Sequence, residues 1–135
     1  MEENREKQVW QRVRGSTEPD QTQVLRRWLE EQGKLWCVYR LFARRGGKCR
    51  ALLEQKENQI ACLRGLLRVR TGQIAAHPRP GEVRADLLPC FAGEQRFLRE
   101  LLQGSREEDF GPIFAALAEG QKRQCRILLE ILGNG

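Results

Sequence analysis

Two glutamates carry the strongest chemical suggestion in this sequence. Glu57 opens the stretch Glu57-Asn58-Gln59-Ile60, and Glu94 closes Ala92-Gly93-Glu94. Each belongs to a segment that reads as a helical hairpin, and the two hairpins share a layout. The first offers Gln32 and then Glu57 and Ile60, three residues apart; the second offers Glu94 and then Gln121 and Gln124, also three apart. Residues at i and i+3 share a helix face, so all six side chains can turn into one space between four packed helices. Carboxylates placed this way, completed by imidazoles, hold pairs of divalent metal ions: a Glu from each of two helices and a Glu-x-x-His pair from each of the other two. Here two of the four carboxylates stand, Glu57 and Glu94, and no histidine falls on an expected helix. Gln is a neutral, weak ligand and Ile is none.

Other chemistries lack their residues. The single histidine, His77, sits between an Ala pair and Pro78 and is expected as an exposed loop residue rather than a base. There is no phosphate-binding glycine loop and no local signature of a nucleophile paired with a histidine. The five cysteines, Cys37, Cys49, Cys62, Cys90 and Cys125, are odd in number and form no C-x-x-C pair, which argues against a disulfide framework or zinc ribbon. Free thiols of this kind behave as small apolar core residues.

The 135 residues, 40% hydrophobic and 31% charged, suit one helix-rich domain around a single core. No apolar run approaches the roughly 18 to 20 residues that span a bilayer, and the charged start, Met1-Glu2-Glu3-Asn4-Arg5, lacks the apolar stretch of a signal peptide. The expected location is cytoplasmic, with no membrane partner. The net charge is +6, but the densest basic groups, Arg26-Arg27, Arg44-Arg45 and Arg68-Val69-Arg70, are short and scattered. They read as a solvated helical surface; a basic nucleic-acid-binding protein is the alternative if these arginines converge on one face.

Five helices follow from apolar spacing and punctuation. A short one covers about Glu2 to Arg14, with Trp10 as its docking anchor, and residues 1–19 form this helix and its linker. Residues 20–135 then form the main bundle. Its helices run from about Asp20 to Arg45, Lys48 to Arg70, Leu87 to Gln103, and from near Glu107–Pro112 to Gly133. Asp20 or Thr22 and Asp86 are the expected caps, and Pro89 and Pro112 belong in first turns, where a missing N–H breaks no helical bond. Gly33, inside a helix, marks a place where something packs closely. Phe114, Leu117, Ala118, Cys125, Leu128, Leu129 and Leu132 are expected on the buried side of the last helix. Between the hairpins, about 14 residues from Gln73 to Asp86 include two prolines and read as an extended linker, long enough at about 3.1 Å per residue to exceed 40 Å. A helix of about 23 residues is roughly 35 Å long. The linker can therefore run the length of the bundle and leave the helices on either side of it parallel.

At this point the chain resembles the rubrerythrin branch of the ferritin-like superfamily. Tyr39-Arg40-Leu41-Phe42-Ala43 is similar to the family's first helix, seven residues after its ligand Glu, which falls at Gln32. Ala92-Gly93-Glu94 is similar to its third helix, and Phe114, Ala118, Gln121 and Gln124 follow its last, with Gln in both the Glu and the His places. On its second helix Glu57 takes the Glu place and Ile60 the His place. The resemblance implies an all-α, ferritin-like four-helix bundle of two antiparallel hairpins with a long crossover, here preceded by a short N-terminal helix. It implies iron or another divalent metal as cofactor, yet the missing ligands disfavour di-iron oxidase or peroxidase activity. The expectation is a degenerate site at Gln32, Glu57, Ile60, Glu94, Gln121 and Gln124, hydrogen-bonded and without metal, with Glu57 and Glu94 the ligands if any is bound. Tyr39 is expected to support it, and Arg64 to reach inward and neutralise the carboxylates. No catalytic residue is expected, and the function read from this is a structural or interaction module; a metal-binding redox protein with a reduced site is the alternative. The partner would be a second copy of the chain or another protein. Trp10, Trp28 and Trp36 would form a contact patch if exposed and core or docking residues otherwise.

Overall fold

The computed structural model describes residues 21–134. The expected N-terminal helix, with Trp10, and Asp20, one of the two residues expected to cap the next helix, lie outside them. Among the described residues there are four α-helices and no strand: α1 (Gln21–Phe42), α2 (Gly47–Thr71), α3 (Leu88–Gly104) and α4 (Gly111–Asn134). The boundaries follow local chemistry. A 3-10 turn at Ala43–Arg45 tightens the end of α1, and Gly46 and Gly47 reverse the chain with φ of 70° and 52°, a backbone region that glycine enters without steric cost. Gly72, at φ 76°, ends α2 in the left-handed conformation, and its N–H bonds the Arg68 carbonyl at 2.8 Å, as helix-ending glycines do. Asp86 Oδ1 accepts from the Leu88 N–H at 3.1 Å at the start of α3, and Pro89 and Pro112 both fall in first turns.

α1 and α2 form one antiparallel hairpin, α3 and α4 the other; α1 also packs on α3, and α2 on α4. The end of α2 lies near the start of α1, and α3 begins near the end of α1, where Leu87 and Cys90 meet Val38 and Tyr39. The segment between them therefore travels the length of the bundle, and α2 and α3 are parallel. It runs along α1. The Arg64 guanidinium donates to the Ala75 carbonyl at 2.9 Å, the Cys37 thiol bonds the Arg79 carbonyl at 3.4 Å, and Val83 packs beside Trp36 and Cys37.

Two apolar layers fill the interior. One contains Leu25, Trp28, Leu63, Leu67, Phe97, Leu101 and Phe114; the other contains Tyr39, Leu52, Leu87, Cys90 and Leu128. Trp28 meets Phe97 and Phe114 edge to face, with ring centroids 5.5 and 5.1 Å apart, and its indole N–H donates to Glu100 at 2.7 Å. Trp28 and Trp36 are thus core residues, not a surface patch. Leu129, expected inside, is 55% exposed; it lies next to Leu128, which takes the inward place. No helix of the described residues is long and apolar enough to cross a membrane.

Gly33 is where α1 and the crossover touch. A Cβ there would come within 2.8 Å of Pro78 Cβ and 2.9 Å of its Cγ, whereas a Cβ at Gly65, mid-helix in α2, would meet nothing within 4 Å. The two glycines should respond oppositely to alanine in urea unfolding. Gly33→Ala should lose about 1–3 kcal/mol by forcing the crossover outward, and Gly65→Ala should gain up to about 1 kcal/mol from helix propensity.

Candidate functional site

Between the two apolar layers lies a belt of polar side chains, one level thick, with contributions from all four helices. Gln32, Lys56, Gln59, Glu94, Gln121 and Gln124 are each 1% exposed or less. The structure brings Gln32, Glu94, Gln121 and Gln124 together. It does not bring Glu57 or Ile60 to them. Lys56 and Gln59 occupy the inward positions of α2, one residue earlier in the helix.

The Lys56 ammonium is the centre of the belt. It donates to Gln32 Oε1 at 2.7 Å, Gln59 Oε1 at 2.7 Å and Glu94 Oε1 at 2.8 Å. Three acceptors match the three N–H donors of a protonated lysine; a neutral amine would leave one acceptor unserved. Burial pushes the Lys56 pKa down, and the charge and hydrogen bond of Glu94 oppose this. The Phe97 ring centroid lies 5.5 Å from the nitrogen, within cation–π range.

Glu94 is equally complete. Its Oε1 accepts from Lys56 and from Gln121 Nε2 at 2.7 Å; its Oε2 accepts from the Tyr39 hydroxyl at 2.6 Å and from Gln124 Nε2 at 3.3 Å. All four neighbours are donors, which suits an ionised, acceptor-only carboxylate. Gln121 also donates to the Glu94 carbonyl at 2.8 Å and accepts from Gln59 Nε2 at 2.6 Å. Gln124 Nε2 reaches the Leu52 carbonyl at 3.0 Å, while Gln124 Oε1 has no partner among the described residues. Burial, then the Glu94 charge and hydrogen bond, raise the Tyr39 pKa well above 10, so Tyr39 is a fixed phenol donor. Burial, followed by the Glu94 charge, pushes the Cys90 and Cys125 thiols up to about 11. These are poor nucleophiles at neutral pH.

The remaining expected site residues on α2, Glu57, Ile60 and Arg64, face the crossover. Glu57 Oε2 accepts from the Trp36 indole N–H at 2.6 Å, and Oε1 meets His77 Nε2 at 3.0 Å; the other ring nitrogen of His77 lies 2.8 Å from the Pro78 carbonyl. His77 is therefore not a free loop residue: it is half-buried, edge-on to Trp36 at 4.9 Å, and tied to α2. Ile60 is fully buried, but against Trp36 and Cys37. Arg64 bonds the crossover backbone and not the carboxylates; Lys56 supplies the neutralising charge instead. Sequence reasoning missed Lys56 and Gln59 because α2 carries two adjacent stripes at the same four-and-three spacing. Leu52-Lys56-Gln59-Leu63 faces the bundle, and Leu53-Glu57-Ile60-Arg64 faces the crossover. The outer stripe contains the acid, so a search for metal ligands selects it.

A di-iron centre in such a bundle needs four carboxylates and two imidazoles. This belt has one carboxylate, four amides and an ammonium whose positive charge would repel a metal ion. The residues do not fit that cofactor. Among the described residues no group of three or more His, Cys, Asp or Glu side chains is placed to hold a metal. Comparisons with protein-family models, with curated proteins and with solved structures give no match.

Lys56→Met strands a buried carboxylate and Glu94→Leu strands a buried ammonium. Each should cost about 3–5 kcal/mol in guanidinium unfolding. The Lys56→Met/Glu94→Leu pair, which strands neither, should cost less than the sum by at least about 2 kcal/mol; strict additivity would mean the two groups do not act as a pair.

Glu57 carries a pH dependence of its own. Burial raises its pKa, but the His77 and Trp36 hydrogen bonds and the charges of His77 and Arg40 outweigh this and leave it below the ordinary 4.5. A depressed carboxyl pKa means that the unfolded chain takes up the proton first as pH falls. The stability advantage of the native chain over Glu57→Gln should thus be full above about pH 4.5 and shrink as pH drops through the lower folded value. Melting temperatures of the two proteins from pH 6 to pH 3 would show parallel curves if Glu57 had no such role.

Proposed function

We propose that this chain is a non-catalytic, ferritin-like helical bundle that serves as a structural or interaction module, its interior held by a fixed ion pair where relatives of that fold would place metal ions. The observation that carries this reading is the Lys56–Glu94 contact at 2.8 Å, with both side chains 0% exposed. The connectivity of two antiparallel hairpins joined by a full-length crossover supports the ferritin-like assignment. The charge balance supports the loss of chemistry. One carboxylate faces one ammonium, every N–H of that ammonium is engaged, and the nearest thiols and phenol are held in their protonated forms. Such a centre has neither an open coordination position nor a base ready to take a proton.

A buried, hydrogen-bonded polar network of this kind selects one arrangement of the helices more than it adds stability. That suits a scaffold whose outer faces do the work. Protein purified without chelators should carry far less than one equivalent of iron, manganese or zinc per chain by elemental analysis, and its melting temperature should not move on adding EDTA. A stoichiometric ion that disappears in Glu94→Ala would overturn the reading in favour of a metal-binding redox protein with a reduced site.

A further inference from the structure

We propose that the centre of the bundle is a built cation site whose cation is carried covalently, as the Lys56 ammonium, and that shortening this side chain opens the site to a free primary ammonium ion. The inference rests on the reading of the centre as an ammonium-filled site and goes on to name the ligand it would take.

The geometry is that of a receptor. Three oxygens from three helices, Gln32 on α1, Gln59 on α2 and Glu94 on α3, cap one nitrogen at 2.7 to 2.8 Å. Two of the three, those of Gln59 and Glu94, are aimed by bonds in which Lys56 takes no part. Gln59 gives its amide N–H to Gln121 Oε1, which turns its own oxygen toward Lys56. Gln121 in turn donates to the Glu94 carbonyl and carboxylate, and Tyr39 and Gln124 hold the other carboxylate oxygen. Removing the tip of Lys56 leaves this chain of donors and acceptors intact, so the Gln59 and Glu94 oxygens stay preorganised, with Gln32 completing the cap from α1.

The chemistry of the cap sets the ligand class. One carboxylate among neutral amides gives the cage a single negative charge, which matches a monovalent cation and not a divalent pair. Three acceptors around one point match the three N–H donors of a primary ammonium. A quaternary ammonium has no donor to offer them, and an alcohol offers one donor and no charge. Lys56→Ala removes three methylene groups and the ammonium, the outline of n-propylammonium, and leaves a slot beside Phe97 and the apolar layers to receive the propyl tail.

The test is thermal unfolding of full-length Lys56→Ala, followed by far-ultraviolet circular dichroism, in n-propylammonium chloride at tens of millimolar. The variant should melt below the native chain, and n-propylammonium should raise its midpoint by about 5 °C or more. Native protein and Lys56→Met, whose slot is filled, should each move by less than about 1 °C. Neither n-propanol nor tetramethylammonium chloride should reproduce the effect on Lys56→Ala. If Lys56→Ala is unfolded in plain buffer, the readout becomes the helical signal regained on adding n-propylammonium. Three results would overturn the proposal: no shift or recovery in Lys56→Ala, an equal shift in Lys56→Met, or an equal shift with n-propanol or tetramethylammonium. Metal found in the native chain would instead count against the function proposed above, and the ammonium titration reads the cage separately.

Discussion

The structure depends on one constraint: a lysine and a glutamate are buried together where water cannot reach either. Desolvating each ion costs several kcal/mol, and their mutual attraction offsets that only when the remaining donors and acceptors are also matched. The belt around Lys56 and Glu94 performs that matching with side chains from every helix. Turn any one helix by a single residue and it withdraws a partner: Gln32 from α1, Gln59 from α2, or Gln121 and Gln124 from α4. Apolar layers tolerate small slips, since one methyl group packs much like another. A polar belt does not, because each orphaned group carries its full desolvation penalty. The belt thus acts as a register mark for the bundle, with the two apolar layers supplying most of the burial on either side.

The same constraint silences the chemistry nearby. Burial disfavours ionisation of the acids around Glu94, and the negative charge of Glu94 adds to that. Tyr39 remains a phenol, and Cys90 and Cys125 remain thiols with pKa values of about 11. The single positive charge is consumed by three acceptors. A reactive centre needs a group out of balance with its surroundings, such as a base near neutrality, an open metal position or an exposed thiolate. Here the charged and titratable groups of the belt are each matched by neighbours, and the one buried polar atom of the belt left without a partner among the described residues is the neutral amide oxygen of Gln124.

Much of this was legible in the sequence, because glycine, proline and apolar spacing report directly on backbone geometry. Gly46-Gly47 and Gly72 mark the turns, the prolines of the crossover mark its extended path, and Gly33 marks its contact with α1. Gln32, Glu94, Gln121 and Gln124 could be placed on one level because their spacing repeats between the hairpins. Lys56 was not legible. A lysine within a helix reads as a solvated residue, since lysines are almost never fully buried without a partner, and its partner Glu94 lies in the other hairpin. The structure reverses the expected roles of neighbours on α2. Glu57 pairs with His77 at the half-exposed crossover, and Lys56 takes the interior.

This division of α2 follows from the connection, not from the helix alone. Joining parallel helices requires a segment that crosses the full length of the bundle, and that segment must lie against something. It lies along α1, over Gly33, and reaches α2 through Glu57, Ile60 and Arg64. α2 is therefore covered on two sides and needs two inward stripes, where a helix in a bundle with short loops needs one. The stripe that faces the crossover can carry charge, because its edge reaches water. The stripe that faces the bundle can carry charge only as a compensated pair. A carboxylate added to the outer stripe would thus do nothing for the centre, and on α2 any change in what the centre binds must pass through Lys56 and Gln59.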